Sequence, residues 1–232
     1  MQYPESPYEM TKSPTAFMYK VYGWMSLALA ITAAVAYYVF KSPTLYLSLR
    51  TNPWLLFFII FLQFGLVIAL SAFIYKMSYS SAVTAFMVYA VSVGLTMSFI
   101  FGAYTTASIY ATFIVTAGMF GITCLYGYFT KADLTSMGNF AFMGLIGLIL
   151  AFLVNLFLRS TRLDFILSAF GVLIFIVLTA YDTQKIKEIG QKMMISDQAR
   201  KKFAIVGALT LYLDFINLFL FFLRFMGQSK EN

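Results

Sequence analysis

The sequence predicts an all-α fold, a polytopic membrane protein built as a bundle of seven transmembrane helices with the seventh central, and three observations carry that prediction. Of 232 residues, 61% are hydrophobic, against about 45–50% in soluble domains. Only 11% are charged, where soluble domains carry about 25%. The apolar residues also come in long blocks bounded by charges, and about 20 consecutive apolar residues cross a hydrocarbon core of about 30 Å. These numbers exclude a soluble globular chain, and 14 Gly, 5 Pro and 26 Phe fit neither a disordered nor a collagen-like one.

Met1–Thr15, with Pro4, Pro7 and Pro14, reads as a polar tail and not a signal peptide, because the helix after it is long and lacks a small-residue cleavage site. The first span covers Val21–Phe40 and the second Trp54–Tyr75. Between Lys76 and Lys131 lie 54 uncharged residues, too many for one span, and Gly102–Ser108 reads as the turn dividing spans three and four. The fifth covers Phe140–Leu158, the sixth Leu163–Asp182 and the seventh Phe203–Leu223. The expected organisation is a cytoplasmic tail over 1–16, the bundle over 17–225 and a short C-terminal tail over 226–232. Gly118, Gly121, Gly144 and Gly147 are expected where neighbouring helices approach closely.

Seven spans put the termini on opposite faces, so the Lys and Arg distribution selects an orientation. Ten basic residues fall on the N-terminal side, including Lys185, Lys187, Lys192, Arg200, Lys201 and Lys202, against six on the other. The N-terminus is therefore expected in the cytoplasm and the C-terminus outside. The formal charge of +7 is a topology signal before it is a nucleic-acid signal, since no soluble domain is present to bind one. One cysteine, Cys124, cannot form an internal disulfide, and the lack of His removes histidine zinc sites, Ser-His triads and imidazole relays. No cofactor and no enzymatic activity are expected.

Of nine acidic residues, only Asp182 and Asp214 fall inside or at the end of apolar spans, where an ionised carboxylate costs several kcal/mol. Thr210 and Asn217 share the helical face of Asp214, and Thr179 precedes Asp182 by three residues, so these three are the supporting polar groups. If the sixth helix continues beyond the membrane and the seventh starts at Ser196–Asp197, the turn centres near Gln198, sixteen residues from each aspartate. Antiparallel helices pair residues equidistant from their turn, so the two carboxyls meet. Two carboxyls in contact cannot both ionise cheaply; they share a proton and titrate as a pair.

At these residues the chain closely resembles the Bax inhibitor-1 family of seven-helix membrane proteins, and its bacterial branch in particular. The resemblance is carried by ALTLYLDFINLFLFFLR at 208–224 and TAYDTQKIK at 179–187, supported by TCLYGYFTKADLTSMG at 123–138 and FMGLIGLILA at 142–151. It implies a bacterial inner-membrane calcium leak whose opening depends on pH through paired aspartates, here Asp182 and Asp214, which would also be the weak calcium ligands. The partners so implied are the lipid bilayer, Ca²⁺ and H⁺. Some bacterial relatives are instead modulators of a membrane-bound AAA protease, which gives a non-catalytic alternative. Bacterial relatives can carry an acid in the second helix and arginines after it; this chain has Gln63 and a lone Lys76, so a basic latch on Asp182 falls to Lys76. Tyr181-Asp182 and Asp214 mimic intramembrane aspartyl proteases, yet Tyr212-Leu213 replaces their Gly-x-Gly and no Pro follows Pro53. A retinal protein is excluded by the lack of a mid-span Lys in the seventh helix.

The orientation is checked by cysteine labelling in oriented vesicles, in a Cys124→Ala background. Lys201→Cys should react only from the cytoplasmic side and Asn232→Cys only from outside; the reverse pattern would overturn the assignment.

Overall fold

The computed structural model describes residues 14–192 and 197–230. Residues 1–13 of the expected 1–16 tail, with Lys12, the Ser196 cap, and the last two residues of the chain lie outside the described residues, while residues 14–16 belong to the first helix. The described chain forms eight α-helices: α1 Pro14–Lys41, α2 Pro43–Thr51, α3 Pro53–Ala72, α4 Tyr79–Ala103, α5 Thr106–Phe129, α6 Thr135–Leu158, α7 Thr161–Lys192 and α8 Asp197–Met226. All but α2 are long and apolar enough to cross a membrane, which gives the seven expected spans and an integral, multi-pass membrane protein. The apolar stretch of α8 is 56% buried, the largest share among the seven, whereas that of α3 is only 11% buried and presents its Phe-rich surface outward.

Proline and short polar side chains set the boundaries. Pro14, Pro43 and Pro53 each stand in the first turn of a helix, where the missing N–H has no intrahelical partner to lose. The residue before a proline is driven out of the helical region, and Ser42 and Asn52 are both extended. Helix α2 thus arises between two such breaks, and its nine residues are too few to span. It is an element that the pattern of apolar blocks alone does not reveal. Thr105 caps α5 by accepting the Ser108 N–H, and the division between α4 and α5 falls within the expected Gly102–Ser108 turn. Just before α6, Asp133 accepts hydrogen bonds from Thr135, which hold that exposed carboxyl below its usual range. Helix α7 has 32 residues, about 48 Å at the helical rise, so it outruns a 30 Å hydrocarbon core. This matches the expected extension of the sixth span beyond the membrane, and α8 begins at Asp197 as expected.

The chain divides into two compact units. The first comprises residues 1–102 and 186–212. In it, the Thr32 hydroxyl donates to the Ala90 carbonyl at 2.9 Å and pairs with the Tyr212 hydroxyl at 2.7 Å, tying α1, α4 and α8 together. Tyr212 is fully buried, with edge-on rings from Phe86 and Tyr89. Gly94 is needed here because a Cβ at that position would lie 2.7 Å from the Val35 Cβ. Gln63 joins α3 to α4 by donating to the Ser92 carbonyl at 2.8 Å. Lys202 donates to the carbonyls of Tyr75 and Met77 in the turn after α3.

The second unit comprises residues 103–185 and 213–232. Gly127 of α5 packs directly on the Ala180 backbone of α7, Gly138 of α6 lies against the Tyr181 ring, and Gly171 of α7 lies against the Phe221 ring of α8. Gly144 makes ordinary to tight contact with Ile174, but nothing lies within 4 Å of the Cβ positions of Gly118, Gly121 or Gly147. The expectation of close helix approach at those three is therefore corrected: the small residues that permit it are Gly127, Gly138 and Gly171. The turn between α4 and α5 is held by the segment after α8, with the Thr105 N–H donating to the Gln228 carbonyl and the Lys230 N–H to the Ala103 carbonyl.

Gly127→Val must push the Ala180 backbone aside, and overpacking of this kind costs about 1–3 kcal/mol. Thermal unfolding of the detergent-solubilised protein should show a clear fall in midpoint for Gly127→Val and none for Gly121→Val. Equal effects would contradict the assigned contact.

Candidate functional site

Both intramembrane aspartates belong to the second unit. Asp182 lies on α7, half-buried, and Asp214 lies on α8, only 5% exposed. The two side chains lie close enough for a carboxyl–carboxyl hydrogen bond. Such a bond requires a proton on one of the two groups, since an ionised carboxylate only accepts. The Oδ2 of Asp214 is buried without a hydrogen-bond partner among the described residues.

The surroundings of the pair are apolar and close-packed. Phe215, next to Asp214, meets Phe113 and Phe120 of α5 edge-on at 5.7 and 5.3 Å between ring centres. Beside Asp182, the Thr183 hydroxyl donates to the Cys124 Sγ at 3.4 Å, and Gly127 sits on Ala180. Cys124 is accordingly a small buried side chain. Gln184 donates to the Ala132 carbonyl at 2.8 Å and accepts the Leu134 N–H at 3.0 Å, which ties the α5–α6 connection to α7 two residues beyond Asp182.

The three supporting polar residues spend their donors on their own helices. Thr179 bonds the Phe175 carbonyl at 2.6 Å, Thr210 the Val206 carbonyl at 3.1 Å and Asn217 the Leu213 carbonyl at 2.8 Å. Backbone bonding of this kind lets a polar side chain sit in an apolar helix without a partner elsewhere. Lys76 belongs to the first unit, where its ammonium lies over the Phe73 ring at 5.8 Å.

Sequence reasoning passed over Lys185. Its charge acts on Asp182, and its ammonium donates to the Tyr181 hydroxyl at 2.7 Å while lying 5.0 Å from that ring's centre. The signal was available, since Lys185 follows Asp182 by three residues on one helical face. The site therefore holds two neighbouring carboxyls and a nearby cation. Among the described residues no three acidic, cysteine or histidine side chains cluster as a metal site. Ca²⁺ takes six to eight oxygens, more than two carboxyls supply.

Comparison with known proteins agrees with this architecture. The family described as Inhibitor of apoptosis-promoting Bax1 matches residues 14–231. The chain is 50% identical over 215 residues to the inner membrane protein YbhL of Escherichia coli K12, covering 92% of each chain. An uncharacterized protein of Borreliella burgdorferi is 44% identical over 216 residues, covering 93% of each. The uncharacterized membrane protein SpyM3_0260 of Streptococcus pyogenes is 33% identical over 216 residues, with 92% of this chain and 93% of the relative covered. With residues 14–231 matched and relatives covering over nine-tenths of its length, the chain belongs to the Bax inhibitor-1 family.

Proposed function

We propose that this protein is a pH-sensitive membrane calcium leak in which Asp182 and Asp214 form the switch. The observation that supports this reading is the close approach of two carboxyls at a buried place on membrane-crossing helices. Intramembrane acids face a cost of several kcal/mol when ionised and are kept where ions or protons move. With one proton between them, the pair bonds α7 to α8. When that proton leaves, the two like charges repel, the bond is lost and hard oxygen ligands become available to Ca²⁺. The change is a local charge event that repacks two helices. Lys185 would steady the ionised form of Asp182 from the adjacent turn. In this reading the N-terminus and the Lys-rich stretch 185–202, at the end of α7 and the start of α8, face the bacterial cytoplasm, and the chain transports and does not catalyse.

The test is calcium flux into proteoliposomes across pH. The wild type should show a flux that varies with pH over the titration of the pair. Asp214→Asn, nearly isosteric and never negative, should flatten the profile and lower the flux at least about tenfold, the equivalent of about 1.4 kcal/mol of lost ion interaction. Asp182→Asn should abolish the pH response while leaving a constitutive leak. If both variants kept the wild-type profile, the pair would be structural, and modulation of a membrane-bound AAA protease would become the better account.

A further inference from the structure

At the end of the second unit marked by the α6–α7 connection, a groove of about 840 Å³ runs along α6 and α8, within the size range of about 300–1,000 Å³ that accommodates small ligands. Its floor is mainly apolar, with Ile149, Phe152 and Leu153 from α6 and Leu220 and Phe221 from α8, and the amides of Asn155 and Asn217 also line the groove. Its upper end is charged: Arg159, Asp164 and Arg224 line it. From Arg159 down to Ile149 is ten residues of helix, about 15 Å, which is one leaflet of a hydrocarbon core about 30 Å thick. The groove therefore has the depth of one acyl chain and places cations where headgroups lie.

The charges at its end are unevenly matched. Arg224 pairs with Asp164 at 3.6 Å, and its guanidinium lies 5.1 Å from the centre of the Phe152 ring. A guanidinium has five donors in a fixed fork, so that single pairing leaves most of them available. Arg159 stands in the left-handed conformation at φ 50, which turns the chain between α6 and α7, and its exposed side chain has no acceptor among the described residues. Two arginines against one aspartate leave an excess of positive charge over an apolar slot. Leu153 and Phe157, which are 53% and 86% exposed, leave that slot open to the surrounding lipid.

We propose that this groove is a binding site for one anionic phospholipid, its phosphate held by Arg159 and Arg224 and one acyl chain lying on Phe152, Leu153 and Phe221. The planar guanidinium fork matches phosphate oxygens in bidentate fashion. Basic pockets between transmembrane helices are the recurrent form of headgroup recognition. A soluble anion would leave the apolar floor uncovered. A zwitterionic headgroup would bring its own cation into an already positive end.

The test uses the full chain purified in detergent and titrated with phosphatidylglycerol or phosphatidylethanolamine of matched acyl chains, with bound lipid counted by native mass spectrometry. The wild type should retain one phosphatidylglycerol with at least about tenfold preference over phosphatidylethanolamine. Arg159→Gln should lose that preference, whereas Arg50→Gln, in the first unit, should keep it. Leu153→Trp, which fills the floor, should lower retention of both lipids at unchanged charge, and it keeps the site testable if Arg159→Gln fails to fold. Equal retention of the two lipids by the wild type would overturn the proposal. So would equal losses in Arg159→Gln and Arg50→Gln, unchanged retention in Leu153→Trp, or a lipid-free dimer as the dominant species.

Discussion

Two neighbouring carboxyl groups beside phenylalanines can hold a hydrogen bond only while a proton lies between them, and the proposed switch places the aspartates of α7 and α8 under that condition. A buried charge is costly in low-dielectric surroundings, and two of the same sign cost more than twice one. The two groups lie within bonding reach, and in the proposed switch one proton serves both. Everything near the pair is arranged to fix its position. Gly127 lets α5 lie on the α7 backbone next to Asp182, the Phe113, Phe120 and Phe215 rings close over the neighbourhood of Asp214, and Gln184 ties the α5–α6 connection to α7.

The remaining polar groups follow a different rule. Thr179, Thr210 and Asn217 direct their donors to carbonyls one turn back in their own helices, which satisfies them without a partner. Thr32 and Tyr212 instead bond one another across helices of the first unit, with Ala90 as a third party. In hydrocarbon such bonds contribute modestly, of the order of 1 kcal/mol each, but they are directional and fix which faces meet. Aromatic edge contacts and small residues supply the rest of the packing, as expected where lipid is as apolar as the helix surface.

Seven spans, the turn at Gly102–Ser108 and the extension of the sixth span past Asp182 were legible, because long apolar blocks and charges at their ends are set by the bilayer and not by tertiary packing. Helix α2 was not, since nine amphipathic residues between Ser42 and Asn52 give no membrane signal; the two Ser-Pro and Asn-Pro breaks were the only clue. The glycines that matter were also misread. Gly118, Gly121 and Gly147 look like packing glycines by spacing, yet helix rotation decides which face meets a neighbour, and that depends on partners far away in sequence. The aspartates stood out because burial of an acid is expensive wherever it occurs, whereas Lys185 was hidden among six basic residues that also set topology.

The shared proton is tested most directly by infrared difference spectroscopy of the reconstituted protein during a pH titration, comparing wild type with Asp182→Asn and Asp214→Asn. A shared proton predicts one hydrogen-bonded, protonated carboxyl band in the wild type that is lost as the proton leaves and is absent or strongly shifted in either variant. Two independent carboxyl bands, each titrating unchanged when the other aspartate is replaced, would contradict it.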